Sequence, residues 1–492
     1  MSTIVTRAGK GSVLTWADMD NNLNNLNYGS YVSVKDSAYG AKGDGVTDDT
    51  AAIQAAINGL GASGGILYFP KGWYAVTQLN ITVGQITLQG EGLASRLLSS
   101  DNVSDVIHST AGYLMIDRLV FANKGGTVRT GANYINCIGG ETYITNCKFM
   151  QGYTAISIGP ASGIITIDNC HFRDFNTNGT SDVILIDTTG ADVSINECVF
   201  DNNASLMPRS GIRINSCQDV NIMDCNVIHC GKDLWVIPTA GKVVASLYAT
   251  NTFFDTAETG IYIGPASGAV VRTEFNNCWT SSHTNSGVII DATSGVVQGV
   301  TFINLQTHLN GINGVLVQGP NSSDIVFSGG EASQNVGSGV TCSATVTGLY
   351  IRNFHAGTGH GLTGNNYGIY IPAGVTNYEI SNCVCIGNTI NQIVDLAKTG
   401  RVYHNNAGTF KTYNSGTGSI AIGTNNVYIT HGLNTTPSAG DIHLTPHVTY
   451  SNNWISLNPA GIGATTFQVI SHINAAAYNF DFGWSASCQN DH

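Results

Sequence analysis

Ile144-Thr-Asn-Cys-Lys-Phe149, Ile167-Asp-Asn-Cys-His-Phe172, Ile195-Asn-Glu-Cys-Val-Phe200 and Ile222-Met-Asp-Cys-Asn-Val227 are four copies of one phrase. The register runs on through Ala249-Thr-Asn-Thr-Phe-Phe254, Phe275-Asn-Asn-Cys-Trp-Thr280, Ile303-Asn-Leu-Gln-Thr307, Ile351-Arg-Asn-Phe-His-Ala356 and Ile380-Ser-Asn-Cys-Val-Cys385. With the cysteine position as marker the copies fall at 147, 170, 198, 225, 252, 278, 305, 330, 354 and 383, so successive steps are 23 to 29 residues long. A period of that length, built from short alternating strands with no helical pattern between them, predicts a solenoid whose repeats stack only on their neighbours and whose strands run parallel.

Alternation within the phrase sends Cys147, Cys170, Cys198, Cys225, Cys278 and Cys383 inward, together with Phe149, Phe172, Phe200, Val227 and Phe254. The residue before the cysteine position is Asn at 146, 169, 251, 277, 304, 353 and 382. It reads as a buried amide ladder that donates and accepts along the stack. Between phrases a second strand opens on glycine: Gly211-Ile-Arg-Ile214, Gly260-Ile-Tyr-Ile263, Gly287-Val-Ile-Ile290, Gly314-Val-Leu-Val317, Gly339-Val340 and Gly368-Ile-Tyr-Ile371. The fold class is all-β, a parallel β-helix.

Composition agrees, with 11% charged residues, 42% hydrophobic residues and 59 glycines, which suits closely spaced turns under a surface of Asn, Ser and Thr. A solenoid of 492 residues grows by adding rungs, so its length does not demand several cores. The formal charge of −12, from 32 acidic against 20 basic residues, argues against phosphate-backbone binding as the main task and predicts no nucleic-acid partner. Cysteines in one inward column read as free thiols in a stacked core rather than as a disulfide framework. No apolar run near Met1 reads as a signal peptide and none elsewhere spans a membrane, which predicts synthesis in a reducing cytoplasm.

Residues 1–30 carry none of the repeat. Thr6-Arg-Ala-Gly-Lys-Gly-Ser-Val-Leu-Thr-Trp16, leading into an Asp/Asn/Leu-rich run to Asn27, resembles the N-terminal attachment peptide of bacteriophage tail proteins. Next, Tyr39-Gly-Ala-Lys-Gly-Asp-Gly-Val-Thr-Asp-Asp-Thr50 leads into a helix capped by Asp48 or Asp49, carrying Ile53, Ile57 and Leu60 and ended by Gly61. Such an amphipathic helix can cover an open first rung. This opening, with Gly64-Gly-Ile-Leu-Tyr-Phe-Pro70, resembles the pectate-lyase-like β-helix superfamily found in phage tailspikes, and with the rungs behind it the resemblance covers about residues 31 to 405. It implies a right-handed parallel β-helix of about twelve rungs, and a structural rather than catalytic task for Asp44, Asp48 and Asp49.

After Phe410 a glycine-rich link gives way to short strands separated by turns, such as Val427-Tyr-Ile429, Thr466-Phe-Gln-Val-Ile470 and Tyr478-Asn-Phe-Asp-Phe482. They read as a small β-sandwich. The expected organisation is therefore a virion-attachment segment over 1–30, the β-helix with its capping helix over 31–408, and a C-terminal sandwich over 409–492. The tailspike resemblance implies a homotrimer held by that sandwich, a phage baseplate or tail protein as partner of the N-terminus, and a place in the virion. No cofactor is expected, and His443 and His447, with no carboxylate at suitable spacing, read as surface histidines rather than metal ligands.

If the cysteine position and the one two residues on point inward, the positions one and three residues on point out in two columns along one face. The first presents Phe253, Trp279, Glu331 and His355; the second presents Arg173, Asp201, Asp255 and His308. Exposed aromatic rings beside carboxylates suit a sugar-binding groove. Asp201 and Asp255, two rungs apart, would stand about 9.6 Å from each other, near the separation of roughly 6.5 to 9.5 Å that admits the attacking water of an inverting glycosidase. Tailspikes of the resembled class act on bacterial surface polysaccharide, capsule or O-antigen, with clustered acids on the outer face. The expected catalytic set is Asp255 as general acid or base with Glu258, Asp201 and Glu331 near it; the expected substrate contacts are Trp279, Phe253, His308, His355 and Arg173. A polysaccharide lyase using His171-Arg173 or His308-His355, and a non-catalytic receptor-binding fibre, are the alternatives.

Overall fold

The computed structural model describes residues 13, 15, 31–82, 84–175, 179–204, 207–359, 363–397, 401–404, 413–433, 436–447, 455–471 and 479–487. The expected attachment segment over 1–30 lies outside them except for Val13 and Thr15. The chain forms two compact units, residues 1–279 and 280–492.

In the first unit each turn of the chain lays down three strands. One is Ile164–Asp168 followed by His171–Arg173 and Asp182–Asp187; the next is Asp192–Asn196, Val199–Asp201 and Ser210–Ser216. Corresponding strands pair in parallel from turn to turn, as Ile167 with Ile195, Phe172 with Phe200 and Ile184 with Ile212. The repeated phrase thus spans a bend between two strands. Ile167, Cys170 and Phe172 all point inward although the first step is three residues and the second two. The extra residue is Asn169, whose φ of 48° places it in the left-handed region. Asn146, Asn251 and Asn277 share that conformation, with φ of 53°, 49° and 53°, which asparagine tolerates better than most residues. The asparagine column is therefore exposed, not buried as the alternation suggested. Its amides still form a ladder on the outside, Asn169 Nδ2 donating to Asn146 Oδ1 and Asn277 Nδ2 to Asn251 Oδ1, each at 2.8 Å.

Inside, identical positions stack. Phe121, Phe149, Phe172 and Phe200 lie ring over ring, with centroids 4.9, 5.1 and 4.6 Å apart and near-parallel planes. Cys147, Cys170, Cys198 and Cys225 are buried free thiols, each within donor reach of a carbonyl one rung back, as Cys170 Sγ to Ile144 O at 3.5 Å. The helix Thr50–Leu60 buries Ile53, Ala56, Ile57 and Leu60 and stops at Gly61, whose φ is 61°. Neither expected cap has the predicted geometry. Asp49 spends its carboxylate on the N–H groups of Lys42 and Gly43, and Asp48 Oδ1 accepts from Thr50 N–H and Oγ1. Asp44 likewise accepts from Val46, Thr47 N–H and Thr47 Oγ1, and these bonds pull its carboxyl down to about 2.

The second unit keeps the parallel stacking, with two strands of a turn merged into one in Val296–His308 and in Ser322–Ser333, and adds a feature of its own. Asn310, Asn335, Asn365 and Asn388 are buried and joined side chain to side chain, Nδ2 of one to Oδ1 of the next at 2.7, 2.8 and 3.2 Å. A methyl group at Gly287, Gly314, Gly339 or Gly368 would meet the amide nitrogen of Asn310, Asn335, Asn365 or Asn388 at 2.9, 3.0, 3.0 and 2.8 Å respectively. Each glycine that opens the second strand is thus the space its asparagine fills. Among the described residues that strand occurs eight times in the first unit and five in the second, thirteen turns where about twelve were expected.

Beyond the rungs, Tyr413–Ile420, Phe480–Ser487 and Ile442–Pro446 form one antiparallel sheet, and Asn426–Thr430, Thr466–Ser471 and Ile455–Asn458 form another. The two share an apolar core of Ile420, Leu433, Ile442, Phe467, Val469, Phe482, Trp484 and Ala486.

Candidate active site

In the first unit the two outward columns hold their register. Arg173 pairs with Asp201, Asp201 with Ile228 and Ile228 with Asp255, so Asp201 and Asp255 stand two rungs apart, about 9.6 Å for ideal strand spacing. Asn226 pairs with Phe253 in the neighbouring column, and the rings of Phe253 and Trp279 sit side by side, centroids 6.3 Å apart at 40°. Phe253 is 52% exposed, an uncommon state for a phenyl ring. The structure therefore brings Phe253, Trp279 and Asp255 together.

The carboxylates differ in surroundings. Asp201 lies between two basic groups, 3.9 Å from Arg173 Nε and 4.0 Å from His171 Nε2. Burial, then the Lys148 charge, pulls the His171 imidazole below its usual range, against the upward pull of Asp201. Glu258 is mostly exposed and 3.9 Å from Lys232 Nζ. Asp255 is half-buried, and its Oδ1 is enclosed with no hydrogen-bond partner.

Beside Asp255 stands a residue that sequence reasoning missed. Asp233 is fully buried, and neither of its carboxylate oxygens has a hydrogen bond of ordinary geometry. Burial first, and the Asp255 charge second, push its carboxyl well above the ordinary value of 3.8, while the Cys230 thiol and backbone offer partial compensation. The parallel register places Asp233 between Gly211 and Gly260, in the column where the second strand opens on glycine. An acid in a glycine column of the interior breaks the rule of the repeat, and that break was visible in Lys232-Asp-Leu-Trp-Val236. Such local violations of an otherwise consistent pattern concentrate at functional sites.

The second unit corrects two expectations. Glu331 is only 4% exposed and His308 only 3%, so neither faces solvent. The register assigned them correctly to outward positions, His308 pairing with Ser333 and Glu331 with His355. Gly359 lies over Glu331: a methyl group on it would stand 2.5 Å from Glu331 Oε1. His308 is held by Ser333 Oγ at Nδ1, 2.6 Å, and by Gln306 Oε1 at Nε2, 3.2 Å. His355 is half-buried, with its Nε2 enclosed and unpartnered.

The model of the family described as "Rhamnogalacturonase A/epimerase, pectate lyase-like" matches residues 31–282, just over half of the sequence. The chain belongs to that family. As a member of this pectate lyase-like family it shares its fold with phage tailspikes. The Dettilon tailspike protein covers 94% of this chain over 95% of its own length at 12% identity, with a TM-score of 0.54. The tailspike of E. coli bacteriophage HK620, solved as a mutant in complex with hexasaccharide, covers 98% of this chain over 96% of its own at 13% identity and a TM-score of 0.53. A sequence relative is the plasmin and fibronectin-binding protein A of Streptococcus pneumoniae, 30% identical over 159 residues. That match takes in 29% of this chain and 21% of the streptococcal protein, so the chain spans about a fifth of the length of that curated relative. No helix among the described residues is long and apolar enough to cross a membrane.

Proposed function

We propose that this chain binds a bacterial surface polysaccharide, capsule or O-antigen, and cleaves it by endo-glycosidic hydrolysis as a phage tailspike. The observation that carries the reading is the half-buried Asp255 beside the paired rings of Phe253 and Trp279, backed by the buried acid Asp233. Sugar rings stack on the aromatic pair, which places a glycosidic bond over Asp255. Asp255 acts as general acid or base, and Asp201 or Glu258 supplies the second carboxylate. With Asp201 the two-rung spacing leaves room for an attacking water and gives inversion at the anomeric carbon. Asp233 is a positioning residue: neutral and fixed in the interior, it walls the inner side of the Asp255 carboxylate without adding a second charge there. Support for the substrate class comes from the tailspike fold and from the oligosaccharide held by the HK620 tailspike.

In the same reading residues 1–30 attach the protein to a phage baseplate or tail protein, and the helix Thr50–Leu60 caps the first rung of the β-helix assigned to 31–408. The two C-terminal sheets, within 409–492, form a sandwich that holds a homotrimer in the virion. The test is incubation of the protein with purified capsular and O-antigen polysaccharides, then size-exclusion chromatography and a reducing-end assay. Hydrolysis shortens the polymer and creates reducing ends without an unsaturated chromophore. A lyase is the second reading, favoured by one observation: His171, kept neutral by burial, stands beside Arg173 in a basic strip that could take a proton next to a uronate carboxyl. An ultraviolet-absorbing product would select it.

A further inference from the structure

Around the corner from Asp255, on the second-strand face of the first unit, the acidic chain concentrates positive charge. Arg213, Trp235 and Tyr262 succeed one another in a single outward column on adjacent strands. Three cations crowd the Trp235 ring: the Arg213 guanidinium at 4.9 Å, Lys232 Nζ at 5.1 Å and the Arg209 guanidinium at 5.4 Å from its centroid. Lys232 Nζ is also 5.5 Å from the Tyr262 ring. The arrangement is built. Asp182, with a side chain only 4% exposed, accepts from Arg209 Nε at 2.9 Å and from Arg209 Nη2, from Ser210 Oγ at 2.6 Å and from Arg213 Nη1 at 3.3 Å. One buried carboxylate thus fixes two guanidinium groups against an indole ring, and the bond to Asp182 raises the Arg209 pKa further.

Like charges this close repel, and the single buried carboxylate of Asp182 does not balance all three. Their side chains remain partly open, 30% for Arg209, 21% for Arg213 and 21% for Lys232. Guanidinium groups fixed in this way recognise planar oxyanions in forked pairs of bonds, and a ring beside them takes the apolar face of a sugar. Lys232 also reaches Glu258, three residues after Asp255 on the same turn of chain, so the patch adjoins the candidate catalytic turn.

We infer that Arg209, Arg213 and Lys232, set on Trp235 and beside Tyr262, form a subsite for a carboxylate-bearing sugar, so that the polysaccharide is acidic. The inference rests on the depolymerase reading for its connection to cleavage, but the binding stands or falls alone. Ligand-detected NMR with D-glucuronate, D-galacturonate and N-acetylneuraminate, against glucose, galactose and N-acetylmannosamine, tests it on the full chain. The acidic sugars bind about tenfold or more tightly than their neutral counterparts, the worth of one charge-assisted contact. Salt weakens that preference, and Arg213→Gln and Lys232→Gln each reduce it while their melting temperatures stay near the parent's. Asp255→Asn keeps it. Equal response to acidic and neutral sugars overturns the subsite, as does a preference untouched in both Arg213→Gln and Lys232→Gln. A clear acidic preference with no cleavage of any polymer leaves the subsite in place and removes the hydrolase reading; cleavage of neutral polymers alone does the reverse.

Discussion

Asp233, fully buried, faces the half-buried Asp255 across one corner of the first unit, and neither Asp233 oxygen nor Asp255 Oδ1 has a hydrogen-bond partner of ordinary geometry. Buried carboxyls without partners cost folding free energy, so a pair of them is kept for what it does.

Asp233 makes stability depend on pH in a definite direction. Asp233 keeps its proton in the folded chain at pH values where the unfolded chain, with an ordinary value of 3.8, has lost it. The stability contributed is complete below about pH 4 and falls as pH rises, by about 1.4 kcal/mol per unit, until Asp233 itself ionises. Asp233→Asn removes that slope. Denaturant unfolding at pH 5 and pH 7 is expected to show the variant gaining stability relative to the parent between the two; parallel behaviour would place the Asp233 proton elsewhere.

The aromatic pair governs binding more than chemistry. Trp279→Ala and Phe253→Ala are expected to raise KM about tenfold with little change in kcat, since stacking acts on substrate and transition state alike. Initial rates over a range of polysaccharide concentrations measure this, and a fall in kcat at constant KM would contradict it.

The buried asparagine ladder predicts a stability effect remote from the site. Asn335 Nδ2 donates to Thr307 O at 3.2 Å and to Asn365 Oδ1 at 2.8 Å, while its Oδ1 accepts from Asn310 N–H at 3.2 Å and from Asn310 Nδ2 at 2.7 Å. Asn335→Leu strands polar groups on both neighbours and is expected to cost about 2 to 4 kcal/mol, given about 1 to 3 kcal/mol for each buried group left unpaired. Gly314→Ala presses on the Asn335 amide and is expected to destabilise in the same direction. Chemical denaturation checks both, and a neutral Asn335→Leu would show the ladder to be replaceable.

The coil was legible because its signal is periodic: Cys198, Phe200 and their counterparts return every rung, and burial obeys the pattern. What alternation could not show was the bend inside the phrase. Asn169 looked like an inward amide because a strand was assumed to run through it, whereas its left-handed backbone turns the side chain to the outside. Columns in the first unit carried Phe253, Trp279, Asp201 and Asp255 to their expected faces. Glu331 and His308 failed for a different reason: register fixes which way a residue leaves its strand, not what lies over it, Gly359 over Glu331 and the side chains of Ser333 and Gln306 against His308. Asp233 was missed because a repeat draws the eye to positions that match it, and the meaning of this acid lies in departing from it.

The central claim is that Asp255 carries out cleavage. Parent protein and Asp255→Asn are incubated with the polysaccharide that the parent shortens, and polymer length and reducing ends are monitored by size-exclusion chromatography with light scattering and a reducing-sugar assay. Asp255→Asn is expected to melt like the parent, still bind the polymer, and turn over at least about 100-fold more slowly, the scale of a lost general acid or base. Shortening by Asp255→Asn at the rate of the parent would contradict it.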